Sequence, residues 1–513
     1  MPRHGRLSKG CQICRKRKIK CDQARPSCSQ CRRSGWKCPQ YDLVDRMFQR
    51  EDVGKTVQST DEFDRPRPRS TSGSAPNAII AANETQHCLS RGLPKEVIPS
   101  INDLAINFFL STHVFHDTDG ALRGYYEYLP VLRDQTKSHN PLSESLNAVA
   151  LAAYAYTFRQ PDLLVAAKRY YSYVLRHISA ALLSPIDAIR DTMIASILLL
   201  STYETLCMED MSWLSHCIAH IKGAMLVTNI RPHHIMTTRH GLQLFLHMYR
   251  CLIMNCLLRS TRVPVELINL RSCASNNLDT NDPAWKLLDI CVKVAQFRAD
   301  VKECIIREDK RIVNKALEID RGLAALADGM PPRWEFQIIP VKQNSKFACE
   351  PHCHVYSDLW MAAIWNNIRT CRLLLYREVC AQFKDRPIYE KATNDFIHQH
   401  ANHILEHMAS EICATVPQYC GQLPEVIAEL KKDERNGAFN SSYMANIAVS
   451  GSVPTTAGVY FLFWPLYNAG QATKSDIQKK WIIDRSRHLG RTTGIQQALV
   501  LADVLERGEE LPF

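Results

Sequence analysis

A chain of 513 residues that is 46% apolar can bury a sizeable core, and length alone suggests about three domains. Its net charge of +11 is concentrated: residues 1–50 hold fourteen Lys/Arg against Asp22, Asp42 and Asp45, and the rest of the chain balances at forty-nine of each sign. That local excess points to a polyanionic partner, while the polar start Met1–Arg6 and the short apolar runs near Met193–Leu200 and Val459–Tyr467 argue against a secretory signal and a membrane span.

The chain is accordingly expected in the reducing cell interior, where its twenty cysteines read as thiols and metal ligands rather than disulfides. Six cysteines fall within residues 11–38, and the other fourteen, scattered from Cys88 to Cys420, read as small buried apolar residues.

In chain order, residues 1–41 are basic and Cys-rich. Residues 42–99 are polar, with Arg65-Pro66-Arg67-Pro68-Arg69 followed by Ser70–Ser74, and read as a disordered linker, solvated or carrying part of a nuclear-import signal. From residue 100 helical periodicity takes over: Ile101, Leu104, Ala105 and Phe108, then a stripe of Leu164, Tyr171, Val174, Leu175, Ile178 and Leu182. Further helices are predicted at about 142–158, 188–206, 211–229, 240–259, 284–306, 310–327, 355–384, 391–415, 476–489 and 492–507. Alternating strands are scarce, and Asn436-Gly437 lies in a polar stretch, 431–442, that interrupts the pattern. The expected fold is mainly α: a small metal-built module at 1–41, then one large all-α domain over 100–513.

The six N-terminal cysteines read C-x2-C-x6-C-x6-C-x2-C-x6-C, a repeat of offset 17 that places Cys11, Cys14 and Cys21 over Cys28, Cys31 and Cys38. The intervening bases also match: Arg15 over Arg32, Lys16 over Arg33, Lys20 over Lys37. Each half offers three thiolates where a structural zinc takes four, so two Zn²⁺ need two shared sulfurs, one from each half if the repeat is symmetric. The segment is too short for an apolar core, so metal binding must fold it. A single zinc held by four of the cysteines, with two spare thiols, is the structural rival.

Residues 11–38 resemble the fungal zinc-binuclear-cluster (Zn2Cys6) transcription factors. Cys11–Cys21 carries the first half of their motif and Cys28–Cys38 the second, with Pro26 where the family turns the joining loop. The resemblance implies that Cys11 and Cys28 bridge the two zincs. It also implies that the first short helix enters the DNA major groove, with Lys18 reading guanines in a CGG-type triplet. Lysine suits the guanine O6 and N7 acceptors, and Arg15, Arg17 and Lys20 suit phosphate contacts that fix register. Trp36 reads as packing for the small module, and Arg46 and Arg50 as either phosphate contacts or solvated charges. Leu43, Val44, Met47, Phe48, Val53 and Val57 do not sustain heptads, so there is no clear coiled coil; a homodimer remains open, through the helical domain, as does a monomer at one half-site.

Residues 100–513 resemble the helical fungal-specific regulatory domain found behind such clusters, through His220-Ile221-Lys222-Gly223-Ala224, Phe463–Gly470 and Gly494–Ala498. This implies regulation through coactivators or a small-molecule effector. His216 and His220, four apart, could share a metal but read as structural. Cys349, His352, Cys353 and His354 could bind zinc, although adjacent side chains point different ways. No Gly-rich dinucleotide loop, phosphate loop or nucleophile elbow is present, so no enzyme is expected. The chain reads as a nuclear, DNA-binding regulator of RNA polymerase II genes, an activator of a metabolic or secondary-metabolite pathway on family grounds. The alternative is a ligand sensor whose main activity is small-molecule binding in the helical region.

Overall fold

The computed structural model describes residues 14, 17, 19–22, 28–36, 99–115, 122–135, 140–182, 190–207, 213–230, 232–342, 345–381, 391–433 and 456–511. The linker expected at 42–99 and most of the 431–442 interruption lie outside these residues, as do Arg65–Arg69, Arg46 and Arg50.

In the N-terminal segment Ser29–Arg33 forms a five-residue helix, α1. The remainder is helical: α2 (Ile101–His113), α3 (Leu129–Asp134), α4 (Pro141–Phe158), α5 (Asp162–Ala181), α6 (Asp191–Cys207), α7 (Trp213–Ile230), α8 (Pro232–Met236), α9 (Arg239–Arg259), α10 (Val265–Ala274), α11 (Pro283–Lys302) and α12 (Asp309–Asp328). After a two-stranded ribbon come α13 (Leu359–Ala381), α14 (Lys391–Cys413), α15 (Val416–Tyr419), α16 (Leu423–Asp433), α17 (Thr456–Ala472), α18 (Asp476–Thr493) and α19 (Gln496–Arg507).

Helix α4 shows why the ends fall where they do. Asn140 Oδ1 accepts from the N–H groups of Leu142 (2.9 Å) and Ser143 (3.1 Å), Ser143 Oγ accepts from Asn140 N–H, and Pro141 starts the first turn without needing a donor. Arg159, at φ 56°, ends it. Helices α4, α6 and α9 bury residues on every face and form the centre, while α5 and α12 bury one stripe each. By length and composition α9 could cross a membrane, but it is mostly buried and packs against α7 and α11.

One continuous core runs from Ala105 to Leu505. Across it Asp320 of α12 accepts from Arg372 Nε (2.6 Å) and Nη2 (3.0 Å) and from Tyr376 Oη (2.9 Å), a bidentate pair that fixes α12 on α13.

Strands β1 (Gln337–Pro340) and β2 (His352–Val355) pair antiparallel in the register Ile338↔His354 and Ile339↔Cys353. With α16 they enclose a second, small core of Ile339, Cys353, Val355, Leu423 and Val426. This ribbon shortens the helix expected from 355, which begins at Leu359, and the helix expected to reach 306 stops at Lys302, where Cys304 turns the chain at φ 56°.

Candidate metal centre

Among the described residues of the N-terminal module, the buried cluster is made of its own sulfurs. Cys14, Cys28 and Cys31 have no exposed surface, and Cys21 and Trp36 pack against them. The Sγ atoms of those three cysteines lie within 4.8 Å of one another, and Cys14 Sγ stands 3.7 Å from Cys28 Sγ. Two sulfurs bound at ~2.3 Å to one tetrahedral zinc are about 3.8 Å apart, so the spacing fits a shared metal rather than a disulfide.

A second donor group is formed by Cys21, Asp22 and Cys28. Cys28 is the one residue common to both groups among the described residues. Its Sγ also accepts from the Cys31 N–H (3.3 Å), so the sulfur caps α1, and Asp22 Oδ1 accepts from the Ser29 N–H at 3.0 Å. Asp22 carries no signal in the sequence, because its partner is a backbone donor across the joining loop.

Helix α1 closes with Gly35 at φ 68°, and the N–H groups of Trp36 and Gly35 donate to Cys31 O (2.8 Å) and Arg32 O (3.4 Å). This is the Schellman arrangement, with Trp36 folded over the last turn. In the first half the Ile19 N–H donates to Cys14 O at 3.0 Å, the same bond seventeen residues earlier. The offset-17 repeat is therefore present in the backbone as well as in the spelling.

Trp36 packs the module as expected, and Arg17, expected on phosphate, has its guanidinium 4.0 Å from the Trp36 ring centroid. That stack leaves Arg17 exposed alongside Lys20, Arg32 and Arg33. Cys11, Cys38, Arg15 and Lys18 lie outside the described residues.

The histidine and cysteine clusters of the helical region resolve differently. Cys349, His352, Cys353 and His354 do not converge: Cys353 enters the small core, Cys349 meets Glu350 and Cys413, and His352 and His354 meet Glu411 of α14. His352 Nε2 and His354 Nε2 are 3.4 and 3.6 Å from Glu411 Oε1, a three-donor group that could be mistaken for a metal site. Arg369 intervenes, with Nη2 3.4 Å from Glu411 Oε2 and 3.2 Å from His354 Nδ1. Burial, aided by Arg369, His352 and His407, pushes His354 down to about 2, so it accepts from the guanidinium as a neutral ring. A fixed cation already compensates the carboxylate, and the cluster is an ion-pair network. His216 and His220 do share a face, but toward the buried Glu204, at 3.6 and 4.0 Å, with Tyr171 Oη 3.2 Å from His220 Nε2.

Residues 9–46 match the fungal Zn(2)-Cys(6) binuclear cluster domain family. No curated protein and no solved structure matches the chain. The N-terminal segment is thus a zinc- and DNA-binding domain of the kind carried by transcription regulators, and the family is not an enzymatic one.

Proposed function

We propose that this chain is a nuclear regulator of RNA polymerase II transcription, in which residues 1–41 hold two Zn²⁺ through Cys11, Cys14, Cys21, Cys28, Cys31 and Cys38. Cys11 and Cys28 are the bridging ligands in this reading. The observation that supports it is the position of Cys28 Sγ within reach of both donor groups, where a sulfur bridging two metals would sit. Bound zinc supplies the folding energy that the module lacks. The protein's own residues then do the recognition: Lys18 donates to guanine O6 and N7 of a CGG-type site, while Arg15, Arg17 and Lys20 contact phosphate. The stacking of Arg17 on Trp36 supports its part, because a guanidinium held over a ring loses little freedom on meeting a phosphate.

Selection of bound oligonucleotides from a random pool by the zinc-loaded protein tests this. CGG-containing sites are expected. Lys18→Ala is expected to weaken the selected site by ~1–3 kcal/mol and to relax preference at the guanines. Equal loss on selected and random DNA would remove Lys18 from base reading. Small-molecule sensing by the helical region is the second reading, favoured by a cavity there whose lining includes unpartnered polar atoms of Arg250, Asn255, Tyr460 and Gln497.

A further inference from the structure

A cavity of about 200 Å³ lies among α6, α7, α9, α11, α13 and α17. Its walls are mostly apolar and aromatic, with Trp360, Phe461, Phe463, Ile221, Leu287 and Ile364 among them. At ~30 Å³ per water it has room for about seven waters, and an apolar cavity of about 150 Å³ already admits benzene. The space therefore suits one substituted ring or a short branched chain.

Four of the polar side chains that line it each carry a buried atom with no hydrogen-bond partner: Arg250 Nη1, Asn255 Nδ2, Tyr460 Oη, and both amide atoms of Gln497. Buried polar groups are nearly always satisfied, so several orphans around one void mark the place of a missing partner. Arg250 is the decisive member. It makes no ion pair or hydrogen bond among the described residues, and its guanidinium lies 4.4 Å from the Trp360 ring centroid. The arginines nearby are paired, Arg123 with Asp358 at 3.1 Å and Arg271 with Asp289 at 2.8 Å. Burial pushes Arg250 down to about 10, opposed through space by Glu127, Asp282 and Cys251. A cation held this way lacks an anion in direct contact.

We infer that this cavity binds a small apolar monocarboxylate, its body against the aromatic wall and its carboxylate on Arg250. Among the described residues, Arg250 is the one arginine or lysine in a mostly apolar lining, which matches one negative charge, and a dianion such as a phosphate monoester would leave charge uncompensated. Asn255 and Gln497 add amide donors and acceptors for a carboxylate oxygen or a hydroxyl. The inference rests on the sensing reading of the helical region and is independent of the DNA contacts.

The test is ¹⁹F NMR of the full zinc-loaded chain with 4-fluorophenylacetate, its neutral isostere 4-fluorophenylacetamide, and 4-fluorotoluene. Saturable broadening by the acid is expected, with affinity at least tenfold above that of the amide. Arg250→Gln, checked for an unchanged far-ultraviolet spectrum, is expected to lose at least tenfold for the acid alone. Ile364→Trp, which fills the void, is expected to abolish binding of all three and serves if Arg250→Gln does not fold. Equal affinity for acid and amide would overturn the carboxylate while leaving small-molecule sensing in place. Absence of binding by all three would overturn the site itself, as would binding unchanged by Ile364→Trp. DNA selection by the same protein reads the zinc module separately in every case.

Discussion

At the scale of single residues, Cys28 serves twice, since it stands in both donor groups and its sulfur caps α1. Cys28→Ala is therefore expected to empty the module of zinc, whereas Cys304→Ala, at an exposed thiol of the helical region, is expected to leave the zinc-to-protein ratio by native mass spectrometry unchanged. Retention of full zinc by Cys28→Ala would contradict a bridging sulfur. Three buried histidines contribute to the response to acid. Burial pushes His113 and His247 down to about 3 and His354 to about 2, so all are neutral in the folded state. Unfolded, each takes a proton near pH 6.5, so the stability they permit is complete above that pH and is lost as pH falls below it toward their folded values. Between pH 7 and 5.5 the intact protein is expected to lose roughly 1 kcal/mol per histidine, and His113→Phe, whose ring stacks on Phe109 at 4.6 Å, to flatten the curve by one such share. A denaturation midpoint equally pH-dependent in wild type and variant would refute the assignment. The cysteine set is legible in the sequence because ligand spacing is a local constraint. Asp22 and Arg250 are not, since one answers a backbone donor across a loop and the other is notable only for partners it lacks.

Among elements, the helices most easily read from sequence are those with a stripe or a cap. Asp309–Asp328 and Gln496–Arg507 are legible to within a few residues because a polar face alternates with Ile312, Ala316, Ile319 and Leu323, or with Ala498, Leu501, Ala502 and Leu505. Thr456–Ala472 reads only as apolar packing: it carries Pro465 and has buried residues on every side, so no periodicity marks it. The ribbon leaves no pattern because four-residue strands are too short to alternate, and their burial depends on α16. Junction glycines are legible as turn residues but not in their demands. Gly494, at φ 76°, joins α18 to α19 beside α4, and a Cβ there would lie 2.9 Å from Tyr156 Cβ and 3.0 Å from Thr157 N. Gly508, at φ 66°, has nothing within 4 Å. Gly494→Ala is thus expected to cost about 2–4 kcal/mol, from the left-handed backbone and the clash together, and Gly508→Ala about 1 kcal/mol from the backbone alone. Equal shifts of the urea midpoint would show that the α4 contact yields freely.

For the whole molecule, the segregation of charge makes a quantitative claim about how DNA is held. The excess of eleven positive charges lies in residues 1–50, and the remaining chain is neutral in sum. Counterion release depends on the number of phosphates neutralised, with a slope of log K against log salt of about −0.9 for each. If the basic segment alone supplies these contacts, substitutions that leave it intact cannot alter the slope, however much they disturb the helical region. Lys20→Ala is then expected to make the slope shallower by about one while preserving the ranking of sites, since a phosphate contact fixes register without reading bases. Arg250→Gln, a change of equal charge far along the sequence, is expected to leave the slope as it was. Fluorescence anisotropy of a CGG-containing duplex across a salt series separates the two. A shallower slope in both variants would mean that the neutral region also meets the phosphate backbone, and that the charge map of the sequence is not the map of the interface.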